Sequence, residues 1–222
     1  MNVVHESIYQ ALYSPRASGP SRGMTRHLRT GRRGRLNHRR TSRRRSRFSG
    51  PLLGERPAAV AKRLVPGHWE GDLVCGKFNR SAIATLVERT TGMLLLVHLI
   101  NGQRDAATVR ERVGQALSAL PAHLRKSLTW DQGSKMAEYL KFQTETSIPV
   151  YFCDPHSLWQ RGSNENTNGL IRQYFPKGTN LNLHSPERLA EVAAKINARP
   201  RESRNWESAQ AHFDRLNEMA QV

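Results

Sequence analysis

After Pro66 the apolar residues fall into short, near-continuous runs that alternate with helical patterns, and this order restricts the folds open to the chain. Such runs are typical of strands that are covered on both faces of a sheet. Thr91 and Gly92 form a plausible hairpin turn between two of them. The runs predict five strands, in "WEGDLVCG", "SAIATLVERTTG", "GMLLLVHLI", "SLTWDQG" and "PVYFCDP".

Helical patterns stand between and after these strands. Residues 105–120 place their apolar side chains on one helical face, and Pro121 helps to end the pattern. The resulting order of three strands, helix, strand, helix, strand and helices favours an α/β fold over a sandwich or a bundle, with a mixed five-stranded sheet flanked by helices. The further helices are predicted over residues 134–147 with Ser134 as the cap, 164–174, and 186–198 with Pro186 in the first turn.

The positive charge is concentrated in the first part of the chain. Residues 1–64 carry 16 Lys and Arg against Glu6 and Glu55, which is +14 of the formal +17, and residues 65–222 carry the remaining +3. An excess of this size predicts a polyanionic partner, with nucleic acid as the first candidate. We therefore predict one folded domain over residues 65–222, preceded by a basic N-terminal extension over residues 1–64.

The basic extension has a composition that opposes folding. Residues 26–47 contain eleven arginines and few apolar side chains, so the segment cannot bury enough surface to offset the entropy of ordering it. We predict that it stays disordered until it meets an anion, and that a short amphipathic helix precedes it over residues 2–13. The arginines that we assign to DNA binding are Arg39, Arg40, Arg43, Arg44 and Arg45.

Membrane and disulfide signals are weak in this sequence. No apolar run approaches the roughly 20 residues that a membrane-spanning helix needs, and the N-terminus lacks the apolar core of a secretory signal, so we expect a cytoplasmic protein. Cys75 and Cys153 are far apart and have no His or Cys at metal-ligand spacing. Both are interpreted as small core residues, and neither a disulfide framework nor a zinc site is predicted.

Three carboxylates stand at informative places in the predicted elements. Asp72 lies within the first strand, Asp131 follows the fourth, and Glu165 opens a helix. Each has an ordinary structural explanation by itself, because Asp is common at strand ends and turns and an acid at a helix N-terminus is stabilised by the helix dipole. Taken together, the three acids can converge on one edge of a mixed sheet.

Convergence of the three acids would require a cation. Carboxylates held close together repel one another unless a divalent ion lies between them, and oxygen ligands without His or Cys favour Mg²⁺ or Mn²⁺ over zinc. Two such ions roughly 4 Å apart can activate a water or a 3′-hydroxyl and stabilise the departing oxygen in phosphodiester cleavage. The acids therefore predict a site for two Mg²⁺ or Mn²⁺ ions.

Long motifs after residue 60 resemble the catalytic core of the insertion-sequence-30 family of bacterial transposases. The resemblance covers about residues 60–215 and rests on "GHWEGDLV", "SAIATLVERTTG", "LTWDQGSKMAEY", "PVYFCDPHSLWQRGSNENTNGLIRQYFPKGTNL" and "NARPR". It implies a ribonuclease-H-like fold with a DDE triad, which motif-by-motif matching puts on Asp72, Asp131 and Glu165. The 33 residues between Asp131 and Glu165 are also the family's spacing.

The resemblance implies a DDE transposase that cuts and joins DNA at insertion-element ends. Relatives carry helix-turn-helix elements upstream, so we expect the chain to be N-terminally truncated, without the helices that recognise those ends. The implied partners are insertion-element ends and target DNA, together with a homo-oligomer or full-length transposase. Two alternatives stay open, namely an idle DNA-binding remnant that inhibits the full-length enzyme, and a ribonuclease-H-like nuclease that cuts without rejoining.

The loop before Glu165 offers candidate DNA contacts. Trp159 has two interpretations, since it can close over the core or stack on an unpaired base. Arg161 follows it in a stretch without apolar periodicity and is predicted to meet phosphate. An aromatic ring beside a cation is typical of proteins that handle frayed DNA ends.

The helix that contains Glu165 offers further candidates. Asn164, Asn168 and Arg172 are spaced four residues apart and share one helical face. Such a stripe is by default a solvated face, but beside a metal site we favour a face turned toward DNA. Lys177, in "FPKG", is predicted to contact a backbone phosphate.

Other acids compete for these roles. Glu70 lies two residues before Asp72 and shares its face on a strand, so it can support the site from behind. Asp154 precedes a proline and is interpreted as a turn residue, and Glu88 as an ordinary surface or edge residue. The sequence near Arg204 departs from the family pattern, which predicts weak packing of the last helix.

Overall fold

The computed structural model describes residues 11–12, 24, 50–57, 60, 63–99, 103–132, 136–154 and 162–219, without the side chains of Gly162, Ser163, Glu165 and Ser203. The chain divides into two compact units, Met1–Arg44 and Arg45–Val222. All the elements named below belong to the second unit. Of the helix predicted at 2–13 only residues 11–12 are described, and both are helical. The Arg-rich segment at 26–47 and the predicted cap Ser134 lie outside the described residues.

One five-stranded sheet forms the centre of the second unit, with the strands in the order β3-β2-β1-β4-β5. The antiparallel pairs are β1 with β2 and β2 with β3, while β4 runs parallel to β1 and β5 runs parallel to β4. The predicted mixed sheet is therefore confirmed. The strands are β1 (His68–Cys75), β2 (Ala82–Glu88), β3 (Leu94–His98), β4 (Ser127–Trp130) and β5 (Val150–Phe152).

Five α-helices accompany the sheet within the described residues. Asp105 caps the first through the amide of Thr108, and Ser185 caps the fourth through the amide of Arg188. The second begins later than predicted, with Glu138 in the capping position. The helices are α1 (Ala106–Ser118), α2 (Tyr139–Thr146), α3 (Gly162–Ile171), α4 (Pro186–Asn197) and α5 (Ala209–Met219).

The two faces of the sheet carry separate apolar cores, which is why its strands read as near-continuous apolar runs. Every residue of β2 is buried. One core joins Trp69 and Trp130 of the sheet to Val113 of α1 and Phe142 of α2. The other joins Val74, Ile83 and Val87 to side chains of α3 and α4, among them Ile171, Leu189 and Ile196.

The last helix packs on the first of these cores. Phe213 of α5 is buried and meets the ring of Trp69 edge-on, with 6.3 Å between ring centroids. Ala209, at the start of α5, is also buried. The weak packing predicted for this helix is therefore wrong, because the contact depends on an aromatic side chain near the middle of the helix and not on the residues near Arg204.

The residues just before the main domain also reach the sheet. Leu52 forms a parallel bridge with Phe152 of β5, and Pro51 accepts a hydrogen bond of 2.9 Å from the Phe152 amide. The side chain of Arg56 donates to the hydroxyl of Thr129 in β4. Residues 50–57 thus contact the domain, although the sequence interpretation assigns them to the basic extension.

Candidate active site

Two of the predicted acids occupy matching positions on adjacent strands. Glu70 of β1 lies opposite Thr129 of β4 in the parallel register. Continuing that register by two residues places Asp72 opposite Asp131, which directly follows the end of β4. Because side chains alternate between faces, Glu70, Asp72 and Asp131 all lie on the same face of the sheet.

The opposite face at this point is closed by a tight contact that holds β1 and β4 together. A Cβ built on Gly71 would lie 2.0 Å from a carbon of the Trp130 ring, so only glycine lets the indole pack against β1 here. Trp130 itself is buried. Gly71 precedes Asp72 and Trp130 precedes Asp131. Their contact thereby sets how closely β1 and β4 approach each other beside the two aspartates.

Helix α3 lies on the face that carries the acids and is joined to β1 by two asparagines. The Nδ2 of Asn168 donates to the Oδ2 of Asp72 at 2.8 Å. The Nδ2 of Asn164 donates to the carbonyl of Glu70 at 3.3 Å, and the hydroxyl of Thr85 donates to the Oδ1 of Asn164 at 3.2 Å. These bonds hold one turn of α3 directly over β1.

Glu165 belongs to that same turn of helix. It follows Asn164 and precedes Asn168 by three residues, so its backbone lies beside the strand that carries Asp72. Its side chain lies outside the described residues, and its role as third acid stays a prediction. The described coordinates thus bring together Asp72, Asp131 and the backbone of the segment that contains Glu165.

The DNA-facing role predicted for Asn164 is wrong. Its side chain has 0% exposure, because both polar ends of the amide are used to dock α3 on the sheet. Arg172 is the third residue of the stripe. Its side chain donates to the carbonyl of Cys75 at 2.8 Å, and burial lowers its pKa. The stripe of Asn164, Asn168 and Arg172 therefore binds β1, while DNA contacts by Asn168 and Arg172 stay predictions.

The other predicted DNA contacts divide into two groups. Lys177 is exposed in the turn after α3, which is compatible with a phosphate contact. The remaining candidates lie outside the described residues, and their roles stay predictions. They are Trp159, Arg161, Arg39, Arg40, Arg43, Arg44 and Arg45.

A buried ion pair lies behind the acids. Arg89 donates to Glu70, and the two residues are 6% and 0% exposed. Burial raises the pKa of the Glu70 carboxyl, although the positive charge of Arg89 acts in the opposite direction. Burial also lowers the pKa of the Arg89 guanidinium. Sequence reasoning placed Glu70 on the correct face but missed Arg89, whose signal was only its position after a strand.

The surface or edge position predicted for Glu88 is wrong. This residue is 0% exposed. Its carboxylate accepts hydrogen bonds from the amides of Gly67, Thr90 and Thr91 and from the Thr91 hydroxyl. Glu88 therefore organises the β2–β3 turn, because a buried carboxylate needs several donors to replace its lost water.

The donor chemistry of the site fits a hard divalent ion. Among the described residues no group of three or more His, Cys, Asp or Glu is close enough to hold a metal, and the Glu165 side chain is not among these residues. Asp72 and Asp131 offer oxygen ligands only.

The imidazole of His68 bonds to Ser127, and burial followed by nearby cations lowers its pKa to about 4.

The "NARPR" motif after α4 also acquires a structural role. The amide of Asn197 forms hydrogen bonds of 2.9 Å to both the N–H and the carbonyl of Leu94 in β3. Arg199 donates to the hydroxyl of Tyr174 at 2.6 Å. Arg201 extends to the β2–β3 turn, where its guanidinium lies against Gly92. The motif thus ties the end of α4 to several parts of the domain.

The mixed five-stranded sheet flanked by helices has the ribonuclease-H-like arrangement that the sequence predicts. Residues 63–157 match the integrase core domain family. The resemblance to insertion-sequence-30 transposases read from the motifs is confirmed by relatives that align with most of the chain. None of the helices within the described ranges is both long and apolar enough to cross a membrane.

Two relatives and one solved structure illustrate the similarity. The chain is 44% identical over 209 residues to the transposase of insertion sequence element IS1086 from Cupriavidus metallidurans, covering 94% of this chain and 61% of that protein. It is 41% identical over 228 residues to the transposase InsI of element IS30A from Escherichia coli K12, covering 97% of this chain and 56% of that protein. A chain of the simian T-cell lymphotropic virus intasome in complex with PP2A regulatory subunit B56 gamma aligns with 69% of this chain and 54% of its own, with 20% identity and a TM-score of 0.47. The chain therefore spans a little over half the length of these transposases.

Proposed function

We propose that the chain is the catalytic core of a DDE transposase that cuts DNA at insertion-element ends and joins it to target DNA in a metal-dependent reaction. The observation that carries the proposal is the shared face of Asp72 and Asp131, with the Glu165 turn of α3 held against it by Asn164 and Asn168. Relatives that cover most of the chain are named as transposases, which supports the same reaction class.

Each acid has a defined part in the proposed reaction. Asp72, Asp131 and Glu165 would hold two Mg²⁺ or Mn²⁺ ions, which when bound supply Lewis-acid activation of the attacking oxygen and charge stabilisation of the leaving oxygen. Asn168 would orient Asp72, because its amide donates to Oδ2 while the Leu73 amide donates to Oδ1 at 2.8 Å, which fixes the carboxylate, and each oxygen keeps a second lone pair for an ion. Carboxylates that the fold already holds in place need not be ordered when the ions bind, and the bound ions would then relieve their mutual repulsion.

The proposed substrate is DNA, and the charge of the chain supports it. The formal charge is +17, and most of it precedes residue 65. Cationic side chains supply the non-specific, salt-dependent part of DNA affinity, so the basic extension would retain DNA while Lys177 and Arg161 position it near the acids. An assembly of several copies, or of this chain with a longer transposase, would bring two DNA ends together in the cytoplasm.

The test is a strand-transfer assay with pre-cut insertion-element ends. The wild-type chain is expected to give joined products with Mg²⁺ or Mn²⁺ and none with EDTA. The Glu165→Gln variant is expected to lose at least about 100-fold in rate while it retains DNA, since the change removes one charge and keeps the shape of the side chain. Glu191→Gln, on the exposed face of α4, is the matched control and should stay at the wild-type rate.

The possible outcomes separate the candidate functions. Equal rates for wild type and Glu165→Gln would remove Glu165 from the mechanism. Products that are cut but never joined would identify a nuclease. DNA retention without any metal-dependent product would identify a binding protein, and either of the last two results would overturn the proposed strand transfer.

A further inference from the structure

A polar cavity lies on the side of the domain where the β2–β3 turn meets the start of α5. Its volume is about 390 Å³, which is within the usual size of ligand pockets. We call it the arginine pocket, because Arg63, Arg89, Arg204 and Arg215 line it and Glu207 is the one carboxylate in its wall. Its lining therefore carries an excess of positive charge.

Part of this charge is not balanced by carboxylates. Arg215 pairs with Glu207 at 2.8 Å, and Arg89 pairs with Glu70. Neither Arg63 nor Arg204 forms an ion pair with a carboxylate of the described residues. Glu70 attracts Arg63 and Glu88 attracts Arg204 through space, but neither contact is an ion pair, so both guanidinium groups keep N–H donors for an anion that enters the pocket.

Buried donors in and beside the pocket also lack partners. Arg89 is 94% buried, and its Nε has no hydrogen-bond partner in the described part of the chain. The same holds for the Nδ1 of His212, which lines the pocket, and for the Nη2 of Arg201, which lies next to Arg204. Buried polar groups are seldom left unpaired in proteins, so these atoms indicate a missing polar ligand.

The turn between β2 and β3 brings two of these cations together. A Cβ built on Gly92 would lie 2.6 Å from Nη1 of Arg201 and 2.7 Å from Nη2 of Arg204, so the bare glycine lets both guanidinium groups approach the turn. Burial, followed by mutual repulsion, lowers the pKa of Arg201, and burial followed by the charge of Arg63 lowers that of Arg204. An anion between these groups would relieve the repulsion.

We propose that the arginine pocket binds a phosphate group of the DNA backbone. Guanidinium groups donate two parallel hydrogen bonds that match the oxygens of a phosphate, and several of them around one cavity are suited to a single phosphodiester. Every residue that lines the pocket has a polar or charged side chain, and no aliphatic side chain, Phe, Tyr or Trp is among them to hold a base. The pocket is therefore a positioning site that binds DNA through its backbone, without reading its sequence.

The distance between the pocket and the acids determines where a bound phosphate would hold the DNA duplex. Arg89 follows β2 and its amide bonds to the carbonyl of His68, which is four residues before Asp72 in β1. Four residues of strand span roughly 13 Å, which corresponds to about four base pairs along a duplex. A phosphate in the pocket would therefore hold the duplex a few base pairs away from the bond that is cut and set its direction across the acids.

This inference rests on the proposed function only in its choice of DNA, so the experiment separates the two. Affinity for a fluorescein-labelled duplex of about 30 base pairs is measured by anisotropy over a range of NaCl concentrations, with the full chain. The variants are Arg204→Gln and Arg63→Gln, the second of which is exposed and should not disturb folding. Arg188→Gln, an exposed arginine on α4, removes the same charge elsewhere and is the matched control.

Each pocket variant is expected to weaken binding about tenfold and to reduce the slope of log affinity against log salt by about one. The control should change affinity by less than about twofold, because an exposed cation far from the DNA contributes little. Inorganic phosphate should raise the melting temperature of the wild type more than that of Arg204→Gln. A response to free phosphate without any loss of DNA affinity would show that the pocket serves a small anion, and would overturn the DNA assignment.

The same measurements in the Glu165→Gln background distinguish this inference from the proposed reaction. The pocket variants should still weaken binding there, although no product forms. If both pocket variants and Arg188→Gln lose affinity equally, the effect is one of total charge and the pocket proposal is refuted, whatever the strand-transfer assay gives. If the pocket variants lose affinity and the wild type never forms product, the pocket stands and the proposed reaction fails.

Discussion

The contact between Gly71 and Trp130 allows the sharpest test of how the fold positions the acids. In Gly71→Ala the new methyl would lie 2.0 Å from the indole, whereas ordinary contacts begin at 3.4 Å, so the ring must move by about 1.4 Å. Trp130 is 1% exposed, so its ring is enclosed by the core. Overpacking of this kind typically costs about 1–3 kcal/mol, and we expect about 3 kcal/mol because the obstacle is a rigid, enclosed ring.

The displacement should reach the chemistry as well as the stability. Asp131 directly follows Trp130, so a shift of the ring also moves this acid relative to Asp72 on the neighbouring strand. A misplacement of about 1 Å can cost on the order of 100-fold in rate. We therefore expect Gly71→Ala to lose about 100-fold in strand transfer under conditions in which the protein is still folded.

The assay is denaturant unfolding, with the free energy of unfolding extrapolated to water and compared with the rate of strand transfer. The matched control is Gly114→Ala in α1, where a Cβ would lie 3.3 Å from a methyl of Thr146, so the neighbour has to give only slightly. Removing a mid-helix glycine can also stabilise a helix by up to about 1 kcal/mol. We expect the control to change the free energy of unfolding by less than about 1 kcal/mol.

A double-mutant cycle identifies the cause. Trp130→Leu should partly relieve the clash, so the cost of Gly71→Ala in that background should fall by at least about 1 kcal/mol. The reasoning is refuted if Gly71→Ala changes the free energy of unfolding by less than about 0.5 kcal/mol, or if the two substitutions are additive. Full stability with lost activity would also contradict the steric account, since the displacement of the acid is expected only as a consequence of the clash.

Two further predictions concern groups beside the acids. Asn168→Ala removes the 2.8 Å bond to Asp72 and should lower the rate of strand transfer about tenfold, with a loss of about 1 kcal/mol in the free energy of unfolding that leaves the protein folded. Exposed Asn182→Ala should be unchanged, and an equal rate for both variants would dismiss the orienting role. His68 has a pKa of about 4 in the folded protein, compared with an ordinary value of 6.5. Between these two pH values the unfolded chain binds more protons than the folded one. The stability contributed by neutral His68 should therefore be complete above pH 6.5 and should fall as the pH drops toward 4. Allowing for its partial exposure, the loss should be about 1–2 kcal/mol in denaturant unfolding followed against pH, and a slope that persists unchanged in His68→Gln would assign it to other groups.

Local sequence patterns were sufficient to predict the order of the strands and helices and to select two of the candidate acids. The apolar runs correspond to strands because both faces of the sheet are covered, as the complete burial of β2 illustrates. Asp72 and Asp131 could be selected because each stands at the point where such a run is interrupted or ends. The long motif around Glu165 added the third acid, and its backbone lies on the face that the sheet positions required.

The roles of polar side chains were decided by tertiary contacts that no local pattern encodes. Glu88 resembles a strand-end surface acid, but the turn after β2 brings the amides of Gly67, Thr90 and Thr91 to it and makes burial favourable. The amide of Asn164 meets a carbonyl 94 residues earlier in the chain, so a stripe that resembled a DNA-facing surface became the attachment of α3 to the sheet.

The sequence by itself determined the alternation of strands and helices, the class of fold and the candidate carboxylates, because burial and periodicity act over a few neighbouring residues. Only the tertiary structure decided which polar groups meet one another. Arg89 behind Glu70, and Arg201 beside Arg204 over Gly92, come together through the packing of segments that are distant in the chain. The free energy of a buried charge depends on those partners, and so the position of a charged residue in the sequence does not reveal its role.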